Sequence, residues 1–336
     1  MTARAPKTAV VLFSLGGPQR EADIQPFLFN FFMDRNIIGA PQPLRWLIAK
    51  YIAATRSRGA ARDAYARLNF KSPLLDNSRA QADALEAVLR GQGMNARCFV
   101  SMRYWHPLAA ETARLLKAYA PERLVLLPLY PQYSTTTTGS SLENFRATAP
   151  QDSAAAKTVC CYPVMDGFIK ASSDLIRAEL AKAPADTRLL LSAHGLPEKV
   201  IAAGDPYQKQ CEETASAIVK ELNIPGLDWQ VCYQSRVGPL KWIGPSIGEA
   251  LQKAARDGKG VVVYPHAFVS EHVETLVELD MEYRHRAEEL KIPYYARVPT
   301  VGTHPAFVAG LAQLVQDSLA GAKDDSAAIC CGRAGT

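Results

Sequence analysis

Leu189-Leu190-Leu191-Ser192-Ala193-His194-Gly195-Leu196-Pro197 and Val10-Val11-Leu12-Phe13-Ser14-Leu15-Gly16-Gly17-Pro18 are two readings of one pattern. Each is a short apolar run that ends in a small or polar turn, the mark of a buried strand whose end presents its side chains. The likeness continues outward from both. Ser101-Met102-Arg103-Tyr104-Trp105-His106-Pro107 matches Gln234-Ser235-Arg236-Val237-Gly238-Pro239. Leu126-Leu127-Pro128-Leu129-Tyr130 matches Val262-Val263-Tyr264-Pro265-His266, and Cys161-Tyr162-Pro163 matches Arg297-Val298-Pro299. Segments of helical length and period lie between the runs, at 107–119, 166–182, 207–222 and 305–319. Strands alternating with helices build parallel sheets covered on both faces.

The pattern therefore predicts an α/β chain of two similar Rossmann-like lobes, each a parallel sheet flanked by helices, with an active-site cleft between them. The N-terminal lobe is expected at 1–165, the C-terminal lobe at 166–320 and a short tail at 321–336. Ligands of such sheets sit at the carboxyl ends of strands, where the topology reverses, which groups Ser14, His194, Tyr130 and His266 near one cleft.

The first matched pair is further apart in sequence than the other three, so the first half carries an insertion, placed at 34–75. It contains Pro43-Leu44-Arg45-Trp46-Leu47-Ile48-Ala49-Lys50-Tyr51-Ile52. Pro43 starts a helix, and Leu44, Leu47, Ile48, Tyr51 and Ile52 fall on one face, with Arg45, Lys50, Arg56, Arg58 and Arg62 beside it. This helix either packs on the core or forms a lip that touches a planar apolar ligand or a membrane. Trp46 and Leu47 would then be contact residues.

Bulk properties exclude several classes. The net charge of +5 is too mild to argue for nucleic acid, and no helix-turn-helix or zinc-finger pattern is present. The N-terminus has no signal-peptide organisation, and no apolar stretch reaches the ~18 residues of a membrane span. The expected location is the cytoplasm, with peripheral contact at the inner face of the membrane through the lip.

The densest chemistry is Ser270-Glu271-His272-Val273-Glu274-Thr275-Leu276-Val277-Glu278-Leu279-Asp280. If the segment is helical, Glu271, Glu274 and Glu278 share a face with His272 beside them. Such a row is a poor core surface but suits a hydrated divalent cation; the alternative is a solvated acidic face. His194, at a strand end before Gly195, can take protons near neutral pH, or can be a turn histidine bonded to backbone. Tyr130-Pro131-Gln132-Tyr133-Ser134-Thr135-Thr136-Thr137-Thr138-Gly139-Ser140-Ser141 offers hydroxyls after a strand that can bind anionic oxygens at a helix N-terminus, or Ser140 or Ser141 can be a plain N-cap; no P-loop lysine follows. Arg103-Tyr104-Trp105-His106 and the Arg236–Trp242 segment pair arginine with aromatics, which can clamp a carboxylate against a flat ring or equally pack at strand ends. Together these describe a cleft with an acidic cation site, a proton-accepting histidine, aromatic walls and arginines.

At these residues, from about 8 to 318, the chain resembles the ferrochelatase family. The resemblance implies a lyase that inserts Fe2+ into protoporphyrin IX to make protohaem, the last step of haem biosynthesis. It implies that His194 and Glu274 are the central catalytic and metal pair, supported by Glu271, Glu278 and His272. It also places Leu15, Arg103, Tyr104, Tyr130, Ser134 and Trp242 around the porphyrin, with Trp46 and Leu47 on the lip. No cofactor is expected beyond the substrate iron. The [2Fe–2S] cluster of some relatives needs a cysteine where this chain has Thr135, and the tail offers only Cys330 and Cys331. The expected partners are porphyrin and ferrous iron, with no nucleic acid, in a monomer or homodimer. Alternatives are a chelatase of coproporphyrin or another tetrapyrrole, disfavoured by the apolar lip, and a non-enzymatic porphyrin or haem carrier, disfavoured by the acidic row.

Overall fold

The computed structural model describes residues 4–235 and 240–321. They form two compact units, one of residues 4–161 with 311–321 and one of 162–310. The end of the last helix, Pro305–Ala320, groups with the first unit rather than with the second lobe expected at 166–320.

The first unit is built on strands β1 (Thr8–Ser14), β2 (Ala96–Met102), β3 (Arg123–Pro128) and β4 (Lys157–Thr158), all parallel in the order β2-β1-β3-β4. Every residue of β1 is buried, as a central strand covered on both faces must be. On one face Ala9, Val11 and Phe13 pack with Phe99, Leu126, Leu116 of helix Ala109–Tyr119 and Phe145 of helix Ser140–Thr148. Helix Leu74–Gly91 lies against β1 and β2.

The second unit repeats the plan. Strands β5 (Thr187–His194), β6 (Trp229–Gln234), β7 (Gly260–Tyr264) and β8 (Tyr295–Arg297) are parallel in the order β6-β5-β7-β8. Leu190, Val261 and Val263 pack against Ile247, Leu251 and Ala254 of helix Ile247–Arg256. Ala193 and Tyr233 pack with Tyr207 and Cys211 of helix Tyr207–Leu222. The strand order agrees with the internal repeat read from the sequence. It extends to an unusual detail: β3 and β7 are each followed by a π-helical turn, Thr135–Gly139 and Glu274–Glu282.

Between β1 and β2 the first unit carries the extra helices Gln42–Arg56 and Ala60–Ala66. Gln42–Arg56 packs against helix Ile24–Phe32 through Ala49 and Ala53, and turns Leu44, Leu47 and Tyr51 outward, 52, 58 and 72% exposed. The apolar face is therefore the outer one, and small alanines make the inner contact. Trp46, 41% exposed, rests edge-on against Phe29 with the Lys50 ammonium over its ring. Among the described residues no helix is long and apolar enough to cross a membrane.

One close approach gives a stability prediction. A Cβ on Gly167 would lie 2.3 Å from the carbonyl oxygen of Ala306 and 3.1 Å from the Cα of Gly310, backbone atoms that cannot swing away. Gly167→Ala is expected to cost about 1–3 kcal/mol through overpacking. A urea titration should show a lower midpoint with an unchanged slope.

Candidate active site

His194 is the last residue of β5, and the chain beyond it passes so close to Gln234 that position 195 has room only for glycine. The Gly195 amide donates to the Gln234 carbonyl at 2.8 Å. A Cβ on Gly195 would meet that oxygen at 2.9 Å and the Trp242 ring at 3.4 Å. Trp242 is thus packed on the turn that presents His194.

The imidazole Nδ1 of His194 lies 2.9 Å from Glu274 Oε2. His272 fixes its own Nδ1–H on the Ser270 carbonyl at 3.0 Å, which leaves Nε2 facing the same Glu274 oxygen at 3.7 Å. Gln234, buried at the end of β6, is oriented by the Ser192 hydroxyl, which donates to its Oε1 at 2.9 Å. Its amide then donates to the Glu274 carbonyl at 3.1 Å and to Glu278 Oε2 at 3.2 Å. The Ser235 amide donates to Glu278 Oε1 at 2.8 Å, and its hydroxyl to Oε2.

Burial alone would push Glu274 up and His194 down. Their mutual charge and hydrogen bond outweigh burial for both. Glu274 ends well below the usual carboxylate range and His194 above the usual imidazole value. Glu278, buried and beside the Glu274 charge, is pushed up. The second unit therefore holds a hydrogen-bonded His–Glu pair beside a second carboxylate whose proton affinity is raised, a combination suited to passing protons and holding a cation. Among the described residues no three His, Cys, Asp or Glu side chains already converge as a metal cage. Glu274 is turned to the histidines, and Glu278 to Ser235 and Gln234.

The α-helical spacing drawn from the sequence does not hold here. Glu271 lies ahead of the π-helix, and its carboxylate accepts from Arg297 Nη1 at 2.8 Å, from the Thr300 amide at 2.9 Å and from the Thr275 hydroxyl. It shares no row with Glu274 and Glu278. His266 is fully buried, and burial pushes it down to about 4, so it is neutral and sits in the interior.

The first unit collects the candidates for porphyrin contact. The Arg103 and Tyr104 amides donate to the carbonyls of Ser14 and Leu15 at 2.9 and 3.0 Å, which seats half-buried Leu15 beside them. Arg103 spends Nε on Ser140 Oγ at 2.6 Å and Nη2 on Asp34 Oδ2 at 3.0 Å, and its guanidinium stacks on the Tyr104 ring. Tyr104 is fully buried, its hydroxyl donating to Asp34 at 2.7 Å. Ser134 caps the π-turn by accepting from the Thr136 amide at 3.1 Å. The Tyr130 hydroxyl is buried beside Ser141. Trp46 and Leu47 stand on the outer helix. Asp34, the hub of this cluster, was missed in the sequence except as the edge of the insertion. Its only signal was an acid at the end of the apolar run Phe27–Met33. Thr135 is exposed at the start of its π-turn, while Arg236–Pro239, Cys330 and Cys331 lie outside the described residues.

The family model described as Ferrochelatase matches residues 7–319. The chain belongs to the ferrochelatase family. It is 53% identical over 333 residues to the ferrochelatase of Caulobacter vibrioides, covering 98% of this chain and 95% of that one. It is 50% identical to that of Phenylobacterium zucineum, covering 93 and 92%, and 45% identical to that of Rickettsia bellii, covering 97 and 91%. Among solved structures, SirB from Bacillus subtilis with Fe3+ superposes with a TM-score of 0.56 at 11% identity, covering 94% of this chain and 96% of that one. CbiX, described as the terminal enzyme for biosynthesis of siroheme in denitrifying bacteria, gives 0.50 at 14%, covering 92 and 98%. At such identities these two speak for the chelatase-like fold alone. As a ferrochelatase-family chain, the protein is a lyase of haem biosynthesis.

Proposed function

We propose that the protein inserts Fe2+ into protoporphyrin IX to form protohaem, with His194 and Glu274 at the centre of the reaction. The observation that carries this reading is the 2.9 Å contact between a strand-end imidazole and a carboxylate flanked by His272 and Glu278. Insertion exchanges two pyrrole N–H protons for one cation. His194 accepts those protons in turn, and the neighbouring Glu274 stabilises the imidazolium that results. Glu278 and the Nε2 face of His272 receive the cation as it sheds water. Arg103 and Tyr104, spent on Asp34 and Ser140, support the porphyrin by holding the ends of β1 and β2 rather than by offering a free guanidinium.

The outward face of Leu44, Trp46, Leu47 and Tyr51 favours protoporphyrin over a more anionic tetrapyrrole. With Arg45 and Lys50 beside it, the same face suits peripheral contact with the inner surface of the cytoplasmic membrane. The test is anaerobic: purified protein, Fe2+ and protoporphyrin IX, followed by loss of porphyrin fluorescence and growth of the haem absorption band, with coproporphyrin in parallel. Turnover of protoporphyrin is expected. Tight binding without insertion would point to a carrier, and preferential turnover of coproporphyrin would move the substrate assignment.

A further inference from the structure

We infer that Arg297 is a positioning residue for metal insertion: with Glu271 and Asp280 it braces the π-helical turn that presents Glu274 and Glu278. This rests on the reading of Glu274 as central to the reaction. Arg297 ends the edge strand β8, and its side chain is only 9% exposed. Nη1 lies 2.8 Å from Glu271 Oε1 and Nη2 2.7 Å from Asp280 Oδ2. Glu271 precedes the π-helix and Asp280 lies in its second half, so one guanidinium grips the turn on both sides of Glu274 and Glu278.

The rest of β8 adds to the grip. The Tyr295 hydroxyl donates to the Leu279 carbonyl at 2.8 Å, a main-chain group of the π-helix itself. Glu271 is held from its other side by the Thr300 amide and the Thr275 hydroxyl. These contacts account for a carboxylate that the acidic pattern alone assigns to the cation: Glu271 is the near anchor of the brace.

A brace is needed because a π-helix is the less stable winding, and appears mostly where function holds it. Relaxing the turn to α-helical bonding between Glu274 and Asp280 would rotate Glu274 by roughly a third of a turn relative to Asp280. The 2.9 Å contact with His194 could not survive that rotation. A guanidinium suits the task, since its rigid fork can reach two carboxylates in fixed directions, which an ammonium cannot.

The test uses the full chain in the anaerobic assay with Fe2+ and protoporphyrin IX, alongside Glu274→Gln. Arg297→Gln is expected to lower kcat by about 30- to 100-fold while KM for the porphyrin stays within about twofold. Arg297→Lys should recover only part of the loss. Glu271→Gln combined with Arg297→Gln should be no slower than Arg297→Gln alone, because both break one device. Circular dichroism at the assay temperature checks that each variant is folded. Should Arg297→Gln fail to fold, Asp280→Asn, which removes one arm, carries the same expectation with a smaller loss. An Arg297→Gln enzyme within about threefold of wild type, with Glu274→Gln inactive, overturns the brace and leaves the functional reading intact. Wild-type turnover by Glu274→Gln overturns that reading and the brace with it.

Discussion

Replacing His194 with Ala should lower iron insertion by about a thousandfold or more, at the upper part of the range for loss of a positioned proton acceptor. Porphyrin binding, read by fluorescence quenching, should change little. The side chain is 34% exposed and its hydrogen-bond partner is Glu274, so the fold should survive the change. Glu274→Gln should give a loss of the same order. It removes the charge that raises His194 and the oxygen shared with His272. Because the two side chains act as one unit, the double variant should be hardly slower than either single one. The pH dependence follows from the direction of the shift. An acceptor must be unprotonated, and His194 lies above the usual imidazole value of about 6.5, so activity should rise with pH through and beyond that value. Glu278→Gln removes a second charge that raises His194, and should move this limb to lower pH. Near-normal turnover by His194→Ala would refute its role as proton acceptor.

Much of this architecture was legible because it rests on patterns a single chain displays. Leu189-Leu190-Leu191 is apolar throughout because β5 is covered on both faces, and its likeness to Val10-Val11-Leu12 survives because β1 holds the equivalent central place in its sheet. The Ser192–Pro197 turn was legible because His194 ends a buried strand before Gly195, where α/β folds present functional side chains. The π-helix was not legible. Glu271, Glu274 and Glu278 have α-helical spacing in the sequence, and nothing local states that Arg297, far along the chain, will hold the turn in a wider winding. Which side of the insertion helix meets a neighbour was left open in the sequence for a related reason. Periodicity says which side chains share a side, not which side meets a neighbour, and here Ala49 and Ala53 allow the close approach to helix Ile24–Phe32. Asp34 escaped because its importance lies entirely in partners distant in sequence.

Asp34 should carry a large stability effect for one side chain. Its carboxylate is 1% exposed and accepts from Arg103 Nη2 at 3.0 Å, from Tyr104 Oη at 2.7 Å, from the Ser140 hydroxyl and from the Asn36 amide at 2.8 Å. Asp34→Ala would leave the Arg103 guanidinium, itself only 17% exposed, without its counter-charge, and would remove the carboxylate that accepts from the Tyr104 hydroxyl. Removing one partner of a buried pair costs about 3–5 kcal/mol, a large share of the roughly 5–15 kcal/mol that holds a domain folded. Deleting a single bond to the carboxylate, as in Tyr104→Phe, should cost about 1.5–3 kcal/mol. Because the penalty is mostly the stranded cation, Arg103→Met in the Asp34→Ala background should restore part of the stability, a coupling that independent sites would not show. Acid should have a matching effect. Burial pushes Asp34 up, but the Ser140 hydroxyl, the Arg103 charge, the Tyr104 hydroxyl and the Asn36 amide outweigh it, and its value falls below the ordinary one. Between that folded value and the unfolded value of about 3.9, the unfolded chain binds the extra proton, so stability rises with pH. The contribution is complete above the unfolded value and is lost as pH falls through the folded one. Urea midpoints measured from pH 7 downward should therefore show wild type and Asp34→Asn converging only in strong acid. An Asp34→Ala protein as stable as wild type at pH 7 would show that Arg103 finds other partners and that the base of the insertion needs no such anchor.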